Sequence, residues 1–350
     1  LRELRVSLRL VLLGLSICAI LCVTGHTETL PAGQVIDRVE CEGSPDQSYA
    51  LYLPSGYTPG KEWPILYALD PGARGNLPLE RLMPAAETYG FILAGSNNAR
   101  NGPFGPIYSA VMAMWNDTHR RFSLDPERIY AIGFSGGARA ASAFAQITAS
   151  PVTAVIGCGA GLHPMLKPQE MNTGYYMGLV GNEDFNYLEM RRVGLSLEKG
   201  GVPHRIVVFE GGHDWPPVEV CSRALGWLEA LAMRDGLRRQ DEQLADRILR
   251  AELGPVEEWE RSERIYLAAR ACEDLADVFR QAPALEAIEK RRARLLQDER
   301  YDSQRRQEEE ALKGEQASVD AYRRMLLRID EQPPGTEEIL SRLLSDAGLG

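Results

Sequence analysis

Between residues 63 and 234 short apolar runs alternate with longer helical stretches, and this alternation constrains the fold more than any other feature of the chain. "WPILYALD" (63–70), "FILAGSN" (91–97), "RIYAIGF" (128–134), "VTAVIGCG" (152–159), "GYYMGLVG" (174–181) and "HRIVVFEGG" (204–212) read as strands. Helices are expected near 78–89, 107–122, 137–149, 184–200 and 217–234. Such βαβ units build a mostly parallel sheet with helices on both faces. The strand runs are apolar along nearly their whole length, as strands covered on two sides are. Ahead of them, 35–42 and 47–53 read as a hairpin turning at Ser44-Pro45-Asp46. The fold class is α/β, a doubly wound, mostly parallel sheet.

From about residue 236 the texture changes. Of the 115 residues from 236 to 350, 46 are charged, strand signals vanish and helix formers dominate. The expected division is therefore 26–235 as the sheet domain and 236–350 as a charged helical region. A long helix is expected from about 284 to 313, apolar at Leu285, Ile288, Leu295 and Leu296 and almost wholly polar afterwards. Its polar half is expected to be solvated or to meet a partner through charge. "EQPPGTEEILSRLL" marks a break, with Thr336 as N-cap of a last amphipathic helix. Trp259, Ile265, Tyr266, Leu267, Leu275, Val278 and Phe279 fall near helical period, so this region has an apolar face to bury. The sheet domain, a protein partner or a second copy are the choices.

The first 25 residues read as a signal peptide. Arg2, Arg5 and Arg9 precede an apolar run, and Val23-Thr24-Gly25 offers small residues for cleavage. Export, to periplasm or medium, is expected without stable membrane insertion; an uncleaved anchor is the alternative. Export leaves Cys41, Cys158, Cys221 and Cys272, which show no metal-binding or C-x-x-C spacing, so one bridge or free buried thiols are both open. Net charge is −10, which gives no electrostatic footprint for nucleic acid. No motif calls for a metal or cofactor.

One motif carries chemistry. Gly133-Phe134-Ser135-Gly136-Gly137 is a G-x-S-x-G that follows an expected strand and opens an expected helix. Turning so sharply strains the serine backbone, lifts its hydroxyl clear of the sheet and leaves the Gly136 N–H at a helix N-terminus. A serine nucleophile needs a base and an orienting acid. His213 lies after the last strand, in "GGHDWP", where open α/β sheets gather their sites. The acid is expected between the two in chain order, and Asp184 in "GNED" is preferred over its neighbour Glu183. A second oxyanion donor is expected from "YALDPGARGN" (67–76), with Gly72 or Ala73 as candidates. Asn97, Asn98 and Asn101 follow another strand and are candidates for substrate binding.

The order of elements, the elbow "GFSGG", the acid in "GNED" and the terminal "GGHDWP" resemble the α/β-hydrolase superfamily over roughly residues 35–235. Within it the chain looks most like secreted esterases of the polyhydroxybutyrate-depolymerase and feruloyl-esterase type. It departs from them in having Asp70-Pro71-Gly72 where such enzymes often carry His-Gly. The resemblance implies an exported serine esterase acting on a small-molecule or polymeric ester. Two other readings stay open. A peptidase on the same machinery would need a terminus clamp, for which Arg74, Arg100 and Arg139 are candidates. A binding protein on a retired hydrolase scaffold would explain Asp70 and make the helical region the working part.

Overall fold

The structure, a computed structural model, describes residues 30–330 other than 149, 150 and 172. The segment expected to act as a signal peptide, the Pro-Pro-Gly stretch and the helix expected after Thr336 lie outside the described residues.

Eight strands form one sheet: β1 (Val35–Cys41), β2 (Ser44–Tyr52), β3 (Trp63–Leu69), β4 (Ile92–Ser96), β5 (Leu124–Phe134), β6 (Ala154–Cys158), β7 (Tyr175–Gly181) and β8 (His204–Phe209). Their order is β1-β2-β4-β3-β5-β6-β7-β8. β2 is antiparallel to β1 and to β4, and every pairing from β4 to β8 is parallel. Every residue of β3, β4, β6 and β7 is buried, which is why those runs are apolar from end to end.

The first hairpin differs from expectation. Its turn is Glu42-Gly43, with Gly43 at φ 80°, and Ser44-Pro45-Asp46 begins β2 instead. Only glycine enters that left-handed region without strain, so it outcompetes the Ser-Pro-Asp signal. Pro45 is accommodated because the register jumps there: Glu40 pairs with Ser48, but Cys41 pairs with Ser44.

The helices α1 (Asn76–Tyr89), α2 (Phe104–Arg121), α3 (Gly136–Ile147) and α4 (Tyr187–Lys199) connect strands, and α5 (Val218–Arg234) follows β8. Alternate residues of a strand face opposite sides. Leu66 and Ala68 of β3 share a core with α1 and α5, whereas Tyr67 turns to Trp115 of α2 and Phe144 of α3.

Beyond α5 come α6 (Glu242–Arg261), α7 (Ile265–Val278), α8 (Leu285–Leu296) and α9 (Glu299–Asp330). Their apolar face buries against the sheet domain of the same chain. Ile248, Ile265, Leu275, Val278 and Phe279 belong to one continuous core with Leu225, Trp227 and Leu228 of α5. Ions reinforce the seam. Glu252 of α6 is buried and accepts from Arg205 of β8 at 2.9 Å and from Arg223 of α5 at 3.2 Å. The Arg205 guanidinium also lies 3.7 Å from the centre of the Trp227 ring.

The helix expected over 284–313 is two helices. Asp298 interrupts it by accepting from the Arg300 N–H at 3.0 Å and from its guanidinium, an N-cap that starts α9. α9 is polar, yet several of its charges are paired within the chain. Glu308 meets Arg191 of α4 at 2.5 Å, Glu315 meets Arg192 at 3.2 Å, and Leu312 is buried. Asp274 of α7 also lies 3.7 Å from the Arg205 guanidinium of the outer strand β8. Cys41, Cys158, Cys221 and Cys272 are all buried free thiols.

Candidate active site

At the carboxyl end of β5 the chain turns directly into α3, and Ser135 occupies the turn with φ 51° and ψ −120°. A non-glycine residue in such a region costs on the order of 1–3 kcal/mol and is held only by its surroundings. Those surroundings are visible. The Ser135 N–H donates to Cys158 O at 2.8 Å, and its carbonyl accepts from Ala138 N–H at 3.0 Å. The flanking glycines are needed for close approach: a Cβ on Gly133 would overlap the Gly137 carbonyl, and one on Gly137 the Leu69 carbonyl. Gly136 opens α3, so its N–H belongs to the first turn and has no intrahelical acceptor.

His213 comes to this serine from the loop after β8, with Nε2 3.1 Å from Ser135 Oγ. Its Nδ1 lies 2.9 Å and 3.0 Å from the two carboxylate oxygens of Asp184, in the loop after β7. An ionised carboxylate can only accept, so Nδ1 carries the proton and Nε2 of the neutral ring accepts from the serine hydroxyl. Asp184 is buried and is oriented by the Asn186 N–H, which donates to Oδ1 at 2.7 Å. Glu183 is exposed. The imidazole is sandwiched between Phe134 and Phe185, with ring centroids 4.7 Å and 4.1 Å away. Phe185 is itself 76% exposed, and Phe104 and Tyr108, at the start of α2, are also exposed, so this end of the sheet has an open apolar rim.

Asp70 is where the structure adds most to the sequence reading. Its side chain is fully buried and faces donors on every side. It accepts from Gly72 N–H at 2.8 Å, from Arg74 at 2.8 and 3.0 Å, and from the Trp215 indole at 2.8 Å. Burial pushes the carboxyl up, but the bonds from Arg74, Trp215 and Gly72 outweigh it and hold the group below its ordinary value. Asp70 is therefore a satisfied anion inside the loop. This changes the oxyanion expectation: Gly72 N–H is taken by the Asp70 carboxylate, and Ala73 N–H donates to the Asp70 carbonyl at 2.9 Å. Neither is a free donor.

Asn97 and Asn98 are likewise engaged within the fold. Asn97 Nδ2 donates to Asp37 O at 2.9 Å, and Asn98 donates to Asp46 O while accepting from Ser48 N–H at 2.9 Å. Both fasten the end of β4 to the β1–β2 hairpin. Asn101 differs, since its side chain reaches the first residue of α3. Trp215 was visible in "GGHDWP", but its partner stands 145 residues away, so no local signal could pair them. Among the described residues no group of acidic, histidine and cysteine side chains is placed to hold a metal ion.

No protein-family model and no curated protein matches this chain. Solved structures similar to it include an S-formylglutathione hydrolase from Staphylococcus aureus, 14% identical, with a TM-score of 0.47 over 57% of this chain and 98% of the other. Esterase B from Lactobacillus rhamnosis is 15% identical, with a TM-score of 0.48 over 58% of this chain and 87% of the other. A puromycin-hydrolysing peptidase from Mycobacterium tuberculosis is 16% identical, with a TM-score of 0.42 over 57% of this chain and 38% of the other. The strand order, the antiparallel start, the parallel remainder and the serine turn between β5 and α3 give this chain the α/β-hydrolase fold.

Proposed function

We propose that the chain is a serine hydrolase acting on carboxylic esters. The observation that carries this reading is the hydrogen-bonded line Ser135–His213–Asp184, ending on a hydroxyl held in a strained turn. Ser135 Oγ attacks the ester carbonyl while His213 Nε2 takes its proton. The carbonyl oxygen becomes an oxyanion beside the Gly136 N–H. Collapse of the tetrahedral species breaks the bond to the alcohol, which leaves with the proton returned by His213. Water, deprotonated by the same nitrogen, then attacks the acyl-serine and releases the acid. Asp184 keeps the imidazole in the required tautomer and stabilises the imidazolium.

Two observations favour esters over peptide ends. Of the three candidate clamps for a carboxylate terminus, Arg74 is bound to Asp70 and Arg139 to Glu189 at 2.8 Å, which leaves only the exposed Arg100. The rim of Phe104, Tyr108 and Phe185 offers apolar contact instead. The retired-scaffold reading loses its main support, because Asp70 is neutralised by its own loop and does not face the serine's oxyanion side as a loose charge. The test is hydrolysis of p-nitrophenyl acetate by the parent and by Ser135→Ala. The variant is expected to lose about 10³-fold or more in kcat. Equal turnover by both proteins would refute the reading. Export, in this account, is directed by residues 1–25, and a mature N-terminus near residue 26 would be its signature.

A further inference from the structure

Acyl transfer at an α/β-hydrolase elbow draws on two oxyanion donors, the N–H after the nucleophile and one from the loop after β3. Here the second is missing from its usual place. Pro71 has no N–H, Gly72 and Ala73 donate to Asp70, and the Arg74 N–H also points to Asp70 Oδ1, at 3.4 Å.

The neighbouring loop, after β4, fills the gap. Arg100 pairs with Gly72 in an antiparallel bridge, and Asn101 N–H donates to Pro71 O at 2.9 Å. This laces the two loops together and lays the Asn101 carboxamide on Gly136. A Cβ on that glycine would collide with it, most closely with Oδ1 and at 2.6 Å from Nδ2, so the acceptor end lies nearer in this conformer. The Asn101 side chain has no hydrogen-bond partner among the described residues. A half-turn of its amide exchanges Oδ1 and Nδ2 without moving the backbone, so the donor end can be presented to a ligand.

We infer that Asn101 Nδ2 supplies, with Gly136 N–H, the second hydrogen bond to the oxyanion formed at Ser135. The inference rests on the esterase reading above. It makes Asn101 a catalytic residue through its side chain, in a site whose second donor would otherwise be a backbone group. It also accounts for the conformation of the 70–74 loop: with Asp70 occupying the local N–H groups, the loop serves as a platform for Asn101.

The experiment measures kcat and KM on p-nitrophenyl acetate for the parent, Asn101→Ala, Asn101→Asp and Ser135→Ala. Asn101 is exposed, and melting curves check that each variant folds. Loss of one preorganised donor lowers kcat by about 10²–10³-fold with little change in KM. Asn101→Asp, equal in shape but without the donor, is expected to fall at least as far. If the parent shows no Ser135-dependent turnover, the esterase reading fails and this inference with it. If turnover depends on Ser135 while either Asn101 variant keeps kcat within about threefold, or changes KM alone, the inference about Asn101 is overturned and the esterase reading stands.

Discussion

The Trp215 indole donates to the Asp70 carboxylate at 2.8 Å, joining the loop that carries His213 to the loop after β3. Asp70 follows β3 and Trp215 follows β8, so the bond joins two loops far apart in sequence. Arg81 of α1 supports the same loop from below, donating to Trp215 O at 3.2 Å. The loops after β3 and β8 are thus joined by a buried anion.

Asp70→Asn keeps the shape and removes the charge, leaving one amide oxygen to face the Trp215, Arg74 and Gly72 donors. An unsatisfied buried donor costs about 1–3 kcal/mol, so the variant should melt earlier at neutral pH. The sign of the pH dependence follows from the lowered carboxyl. A depressed folded-state pKa contributes stability above the unfolded value of about 4 and loses it as pH falls through the folded value. The difference in Tm between parent and variant should therefore be full at pH 7 and shrink below about pH 4. Parallel curves across that range would mean that the charge of Asp70 is not what stabilises the loop.

Asp184 and Glu183 are adjacent, and only Asp184 meets the imidazole. Asp184→Asn preserves shape but favours the wrong tautomer, with an expected loss of about 10⁴ in kcat. Glu183→Gln should leave kcat within about twofold. Steady-state kinetics on one ester decide between them; a larger loss from Glu183→Gln would move the acid by one residue.

The helical region is expected to be inseparable from the sheet domain. Trp227 of α5 is fully buried beneath Arg205 and packs edge-on to Phe279, with ring centroids 6.3 Å apart. A chain ending at 235 would expose this side of α5 and should aggregate or unfold. Glu252→Ala tests the seam more gently, since it takes the nearer carboxylate from Arg205 and leaves Asp274 at 3.7 Å, with a cost below the roughly 3–5 kcal/mol of a fully unpaired buried charge. Denaturant melts of the variant and size-exclusion chromatography of the truncated chain are the measurements. A soluble, monomeric and fully active 26–235 fragment would show that the two parts do not depend on a shared core.

Much of this was legible in the sequence because it depends on local pattern. Strand and helix alternation follows from apolar periodicity, and Ser135, Asp184 and His213 could be ordered because each sits just after a strand. What stayed hidden depends on long-range partners. Asp70 looked like a misplaced charge until Trp215 and Arg74 were seen around it. Asn97, Asn98 and Asn101 looked equivalent, yet the first two are claimed by the β1–β2 hairpin and the third by Gly136. The start of α9 was missed for a local reason: Asp298 is a good N-cap, but the helix formers around it masked the break.

The central claim is that Ser135 is a live nucleophile, and a fluorophosphonate probe tests it most directly. Folded full-length protein should react once, and peptide mass spectrometry should place the adduct on Ser135, with no adduct in Ser135→Ala and slowed labelling when His213 is replaced. No adduct on the folded parent, or labelling that survives Ser135→Ala, would contradict the account.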